Sequence, residues 1–236
     1  MKIIKNPSPN FENRPPGVSV NLLLFHYTGM KSASEAIARL CNPNSKVSAH
    51  YLIDEGGNIF SLVEENKRAW HAGVASWNDD VDINNISVGV EIANPGHEFG
   101  YSRYPERQMV AVETLSIDII KRHSIRAARV LAHSDVSPSR KCDPGELFDW
   151  ERLAAAGIGI WPKMLPVSVD FEIGSIRQCQ KQLKMIGYSL KVTGVLDECT
   201  RDTILAFQRH WLPNRLTGKF DVETVWRMES LLRALK

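Results

Sequence analysis

The chain has 236 residues, 43% of them hydrophobic, enough for one large core or two modest ones. Its 29 Lys and Arg nearly balance 27 Asp and Glu, and the last 67 residues carry only 11 against 8, which excludes a protein that grips nucleic acid through bulk charge. No apolar run reaches the length of a transmembrane segment, no apolar stretch follows the basic start to make a secretory signal, and the four cysteines (Cys41, Cys142, Cys179, Cys199) lack CxxC spacing, so a cytoplasmic chain with reduced, mostly buried thiols is expected.

Residues 1–17, rich in Pro and Asn, read as an extended arm. Residues 20–26 form an apolar strand ending in His26, and 32–41 has helical character with Ser32 or Ser34 placed to cap it. Residues 47–53 alternate, with Val47, Ala49, Tyr51 and Ile53 opposing Ser48, His50 and Leu52; Gly56-Gly57-Asn58 then turns the chain into 59–63, a hairpin with a longer loop. Residues 86–93 alternate again, Ile86, Val88, Val90 and Ile92 against Ser87, Gly89, Glu91 and Ala93. Pro105 opens an amphipathic helix running to about His123, and 129–132 is a short strand. Interleaved strands and helices predict a mixed α/β domain over 18–156, a central mixed sheet flanked by helices.

After Trp150 the pattern changes. Residues 157–174, with their glycines and prolines, read as a linker, and from 175 onward apolar residues fall at helical spacing: Ile176, Cys179, Leu183 and Ile186, then Ile204, Phe207 and Trp211, then Val225, Met228, Leu231 and Leu232. The frame Thr-Gly-x-x-Asp-x-x-Thr occurs at 193–200 and again at 217–224. Each glycine allows a tight turn, and each aspartate can cap the following helix by accepting backbone N–H groups left without partners in its first turn. A small three-helix bundle is predicted over 175–236.

The residues suited to chemistry sit at strand ends. Val130-Leu131-Ala132-His133 leads a short apolar strand into a histidine; Asp143 follows ten residues later across a Pro/Ser loop, with Lys141 two before it. Far upstream, Leu22-Leu23-Leu24-Phe25-His26 repeats the apolar strand ending in histidine, and His26 shares a face with Leu22 and Leu24. Two imidazoles and a carboxylate make a three-ligand set for one catalytic Zn2+, with the fourth position open to water. Cys142 would point away from its two neighbours in an extended segment and is read as structural. Lys141 can stabilise an oxyanion, or simply neutralise Asp143. Glu91 shares its strand face with small residues, which leaves it room to move a proton between an attacking water and a leaving amine; by spacing alone it could be half of a buried ion pair. His50 reads as a supporting or packing residue, His97 and His123 as surface residues. Trp70 and His71 read as core or, with Asn94, as contacts of a substrate groove.

Taken in order, Phe25-His26-Tyr27-Thr28, Ser48-Ala49-His50-Tyr51-Leu52-Ile53, Ala69-Trp70-His71-Ala72-Gly73, Val88-Gly89-Val90-Glu91-Ile92 and Ala132-His133-Ser134-Asp135 with Arg140-Lys141-Cys142-Asp143-Pro144-Gly145 resemble the zinc N-acetylmuramoyl-L-alanine amidases of the type-2 amidase family. That family is related in fold to phage T7 lysozyme and peptidoglycan recognition proteins, and the helical module that follows resembles its AmiD-like branch. The resemblance, over roughly residues 20–152, implies zinc on His26, His133 and Asp143, Glu91 as acid and base, and Lys141 stabilising the transition state. It also implies a peptidoglycan or muropeptide substrate, cut between the lactyl group of N-acetylmuramic acid and L-alanine. Residues 175–236 resemble the three-helix peptidoglycan-binding domain of cell-wall hydrolases, through the repeated frame and Ala206-Phe207-Gln208. Phage members carry a catalytic Tyr just before the His of the second strand; Ala49 stands there in this chain, which leaves that role to Glu91. The resemblance implies a cell-envelope location, against the cytoplasmic one expected from the missing signal. A monomer is expected. The rival readings are a non-catalytic peptidoglycan-recognition protein, and a phage-type endolysin or recycling enzyme with the same chemistry.

Overall fold

The computed structural model describes residues 2–163 and 171–236; of the expected linker 157–174, residues 164–170 lie outside the described residues. In chain order the elements are β1 (Ile3–Lys5), β2 (Phe11–Asn13), β3 (Leu22–Tyr27), α1 (Ala33–Leu40), β4 (Tyr51–Ile53), β5 (Ile59–Ser61), β6 (Lys67–Ala69), α2 (Ile83–Ile86), β7 (Ser87–Ile92), α3 (Gly96–Phe99), α4 (Glu106–His123), β8 (Val130–Ala132), α5 (His133–Val136), α6 (Trp150–Ala155), α7 (Ile176–Ile186), α8 (Glu198–Trp211) and α9 (Val222–Ala234). No helix among the described residues is long and apolar enough to cross a membrane.

Six strands form one mixed sheet in the order β1-β5-β4-β7-β3-β8, and β2 and β6 pair in a separate antiparallel ribbon. The middle of the sheet, β4, β7, β3 and β8, is parallel; only the β4–β5 hairpin runs antiparallel. Parallel strands need both faces covered, and the sequences of β3 and β7 supply apolar residues accordingly. On one face Leu23, Phe25, Val88, Val90 and Ile92 pack against Met109, Val112, Leu115 and Ile119 of α4. Helix α4 begins just after Pro105, carries Lys121, Arg122 and His123 in its last turn, and stops at Ser124 in the left-handed conformation. Cations there meet the negative end of the helix dipole.

The other face, which carries Leu22, Leu24 and Leu131, is covered by α7, α8 and α9 through Leu183, Ile204, Phe207 and Trp211 among others. The three C-terminal helices thus share one apolar core with the sheet. The two repeated loops behave alike. Asp197 and Asp221 accept the backbone N–H of Thr200 and Thr224, capping α8 and α9. A buried glutamine from the preceding helix ties each loop down: Gln180 Nε2 donates to Thr193 and Thr200, and Gln208 Nε2 to Thr217 and Thr224.

Over its described residues, 2–17, the arm pairs in ways its sequence did not reveal: β1 lies parallel to β5, and β2 antiparallel to β6. Arg14 anchors the arm, donating to the carbonyls of Glu65, Asn84, Asn85 and Ser87. The strand expected over 47–53 is confined to Tyr51–Ile53, because Ser48 instead bonds to Trp70 and Asn10.

Candidate active site

The C-terminal ends of three adjacent parallel strands converge at one point, the usual location of sites in open α/β sheets. His26 is the register partner of Glu91 on β7, and Phe25 is that of Ala132, the residue before His133. His26 and Glu91 therefore project from the sheet face that also bears Leu22 and Leu24. Asp143 arrives from the loop after α5, whose fold-back is fixed by the Ser134 N–H donating to the Asp143 carbonyl.

His26 Nδ1 and His133 Nδ1 are 2.9 Å apart, and Asp143 Oδ2 lies 3.2 Å from the first and 3.0 Å from the second. All three residues are buried. The outer nitrogens explain why these atoms face one another. His133 Nε2 lies 3.0 Å from the Ala72 carbonyl, which only accepts, so Nε2 carries the proton. Ser87 Oγ donates to the Ile83 carbonyl at 2.6 Å, which obliges His71 Nε2 to donate to Ser87. His71 Nδ1 is then bare and accepts from His26 Nε2 at 3.0 Å. Burial first, and the neighbouring imidazoles after it, keep His71 neutral and push His26 down to about 4. His26 Nδ1, His133 Nδ1 and Asp143 Oδ2 thus point at one spot. Three donor atoms held this close call for positive charge among them. A tetrahedral ion with bonds of about 2.0 Å sets its ligand atoms roughly 3.3 Å apart, close to the observed triangle, so the set fits a divalent metal.

Glu91 is partly exposed as a residue, yet its Oε2 is shielded and has no hydrogen-bond partner among the described residues. Burial, and then the Asp143 charge, raise its carboxyl well above the ordinary range, while Lys141 works the other way. Lys141 acts electrostatically on both Glu91 and His26. Beside Asp143, Tyr27 Oη lies 3.1 Å from Cys142 Sγ and 3.0 Å from His97 Nδ1, and His97 stacks on Tyr101 at 4.3 Å, an aromatic wall that sequence reasoning missed.

The structure brings His26, His133, Asp143, Glu91 and Lys141 into one neighbourhood. It gives the expected groove contacts other partners. His71 stands behind His26 with both nitrogens engaged. Asn94 is buried, donating to Ser102 and accepting from Gly96, so it shapes the loop that carries α3. Trp70 is half-buried and donates to Glu12. His50 supports β7, accepting the Gly89 N–H at Nδ1. A signal for His71 was present in the sequence: the small residues Ser87 and Gly89 beside Glu91 leave space that His71 fills.

Residues 16–146 match the family model Amidase_2, described as N-acetylmuramoyl-L-alanine amidase. The chain belongs to this amidase family. Among its relatives, the N-acetylmuramoyl-L-alanine amidase AmiD of Escherichia coli (strain K12) is 32% identical over 234 residues, covering 90% of this chain and 82% of AmiD. The 1,6-anhydro-N-acetylmuramyl-L-alanine amidase AmpD of Haemophilus influenzae is 31% identical, covering 61% of this chain and 86% of AmpD. The crystal structure of E. coli AmiD with anhydro-N-acetylmuramic acid-L-Ala-D-γ-Glu-L-Lys superposes with a TM-score of 0.83 at 30% identity, covering 94% of this chain and 93% of that one. AmpDh3 of Pseudomonas aeruginosa with anhydromuramic pentapeptide gives a TM-score of 0.80 at 29% identity, covering 96% and 97%. At 94% and 96% of this chain, the two superpositions reach into its C-terminal helices.

Proposed function

We propose that the chain is a zinc amidase that hydrolyses the bond between the lactyl group of N-acetylmuramic acid and L-alanine of the peptidoglycan stem peptide. The observation that carries this reading is the triangle of donor atoms on His26, His133 and Asp143 with Glu91 Oε2, unpartnered among the described residues, beside it. These three residues would hold the zinc, which when bound acidifies water and polarises a carbonyl. His71 and the Ala72 carbonyl keep the ligand imidazoles in the required tautomers. Glu91 takes the proton of the attacking water and hands it to the departing amine of L-alanine, a transfer suited to a carboxyl raised above its ordinary range. Lys141 supplies positive charge for the oxygen that becomes negative when the carbonyl is attacked.

The substrates in the two neighbouring complexes, both anhydro-muramyl peptides, support a muropeptide or glycan-terminal substrate. The Tyr27–His97–Tyr101 wall and half-buried Trp70 offer faces for sugar and stem peptide. The proposed organisation is an arm at 1–17, a catalytic domain at 18–156, a connection at 157–174 and a peptidoglycan-binding module at 175–236. A cavity of about 900 Å³ at the seam, lined by Asn78, Lys184, Lys191, Thr193 and Asp197, supports polymer contact there. All the proposed catalytic groups come from one chain, which supports action as a monomer. A non-catalytic recognition protein would not need the complete ligand set.

The test is Glu91→Ala. The variant should bind one zinc per chain, read by elemental mass spectrometry, and lose at least about a hundredfold in release of stem peptide from anhydro-muropeptide. Near-normal turnover would remove Glu91 from the mechanism, and a wild-type chain that takes up no zinc would remove the metal.

A further inference from the structure

The metal-ligating histidine His133 opens α5, a single helical turn, and Asp135 is the third residue of that turn. Asp135 is completely buried, and each of its oxygens is engaged. Oδ2 accepts the Ala132 N–H at 2.8 Å and His210 Nδ1 at 2.6 Å; Oδ1 accepts the Tyr188 hydroxyl at 2.6 Å. Two of these three donors belong to the C-terminal module, His210 in α8 and Tyr188 just after α7. The His210 ring lies between the indoles of Trp150 and Trp211, each with its centroid 3.7 Å away, so its nitrogen has little freedom to turn elsewhere.

The same helices hold the other contact of His133. The segment after the Ala72 carbonyl runs through Trp77, whose indole meets Tyr188 edge-on at 4.9 Å. The Asn78 N–H donates to the Gly187 carbonyl at 2.7 Å, and a side chain at Gly187 would overlap the Trp77 ring. His133 is therefore braced from both sides by elements that rest on the C-terminal module.

We infer that this module is a structural part of the metal site: Tyr188 and His210 are positioning residues that act through Asp135 to set His133. The inference rests on the proposed metal role of His133. A tethered module would contribute local substrate concentration alone, whereas this one contributes to ligand geometry. Residues that orient metal ligands typically affect metal affinity about 10- to 100-fold.

The experiment compares zinc affinity, by competition with a chromogenic chelator, in the intact wild-type chain, the double variant Tyr188→Phe/His210→Phe and the surface variant Lys219→Ala. The double variant keeps two aromatic rings and removes both donors to Asp135. Its dissociation constant should rise about tenfold or more, while Lys219→Ala stays within about twofold of the wild type, since it touches nothing that braces His133. A folded double variant that binds zinc as tightly as the wild type overturns this inference alone; a wild-type chain that binds no zinc overturns the metal reading and this inference with it. A second measurement needs no variant. Coupling is reciprocal, so zinc should slow amide hydrogen exchange around Tyr188 and in the last two turns of α8. Protection confined to residues before 157 overturns the coupling.

Discussion

Ser87 has one proton to give, and the Ile83 carbonyl takes it. That single donation sets His71, which sets His26, which leaves Nδ1 bare for a metal three residues along the relay. The relay has no slack, because His71 lies flat over Gly89, where an added Cβ would sit 2.5 Å from the ring. Gly89→Ala should therefore displace His71, costing roughly 1–3 kcal/mol of stability as an overpacked site and weakening zinc binding. Urea unfolding and chelator titration check the pair of effects, and a Gly89→Ala variant with wild-type affinity would show the relay to be dispensable. At this scale the sequence pointed to His26, His133, Asp143, Glu91 and Lys141, which stand at strand ends or within one motif and which the structure brings to one neighbourhood. It held only a packing hint for the place of His71, and nothing for Asp135, Tyr188 or His210. Their partners lie 45 to 75 residues away, and nothing local in a histidine reports which nitrogen is protonated.

Glu65, in the loop after β5, fastens the β4–β5 hairpin to the end of α4. Its carboxylate accepts from the Tyr51 hydroxyl, Arg122 and His123. Burial opposes the charge, but those bonds win and hold the carboxyl down at about 2. A carboxyl depressed on folding stabilises above its unfolded pKa of about 4.3 and loses that stabilisation as pH falls toward the folded value. Glu65→Gln should therefore cost roughly 1–2 kcal/mol at pH 7, allowing for partial exposure, and the gap to wild type should close between about pH 4.3 and 2. Unfolding curves at several pH values check it; a gap independent of pH would assign the loss to packing. Elements with a strong period, β3, β7, α4 and the three C-terminal helices, could be read directly from the chain. β1, β2 and β6 could not: each is three residues long, β1 and β2 are exposed throughout, and short edge strands owe their pairing to distant partners.

For the whole molecule, the sequence indicated two modules, and the structure joins them through one apolar cluster. Leu22, Leu24, Leu131 and Trp77 from the sheet side meet Leu183, Phe207, Trp211 and Met228 from the bundle. Uncovering such side chains costs on the order of 1.5–3 kcal/mol each, so uncovering four would remove about 6–12 kcal/mol, as much as the usual 5–15 kcal/mol stability of a protein. A chain ended after residue 163 is expected to aggregate or to lose its near-ultraviolet dichroism. A soluble, cooperatively unfolding fragment would show that the sheet stands without its cover. The contact between Gly187 and Trp77 carries this point into evolution and engineering. A domain joined by a string can be exchanged between hydrolases like a cassette, but this one is keyed to its host by an indole lying on a bare backbone. Chimeras that import a foreign helical bundle should fail at that seam unless the indole is trimmed to suit the newcomer.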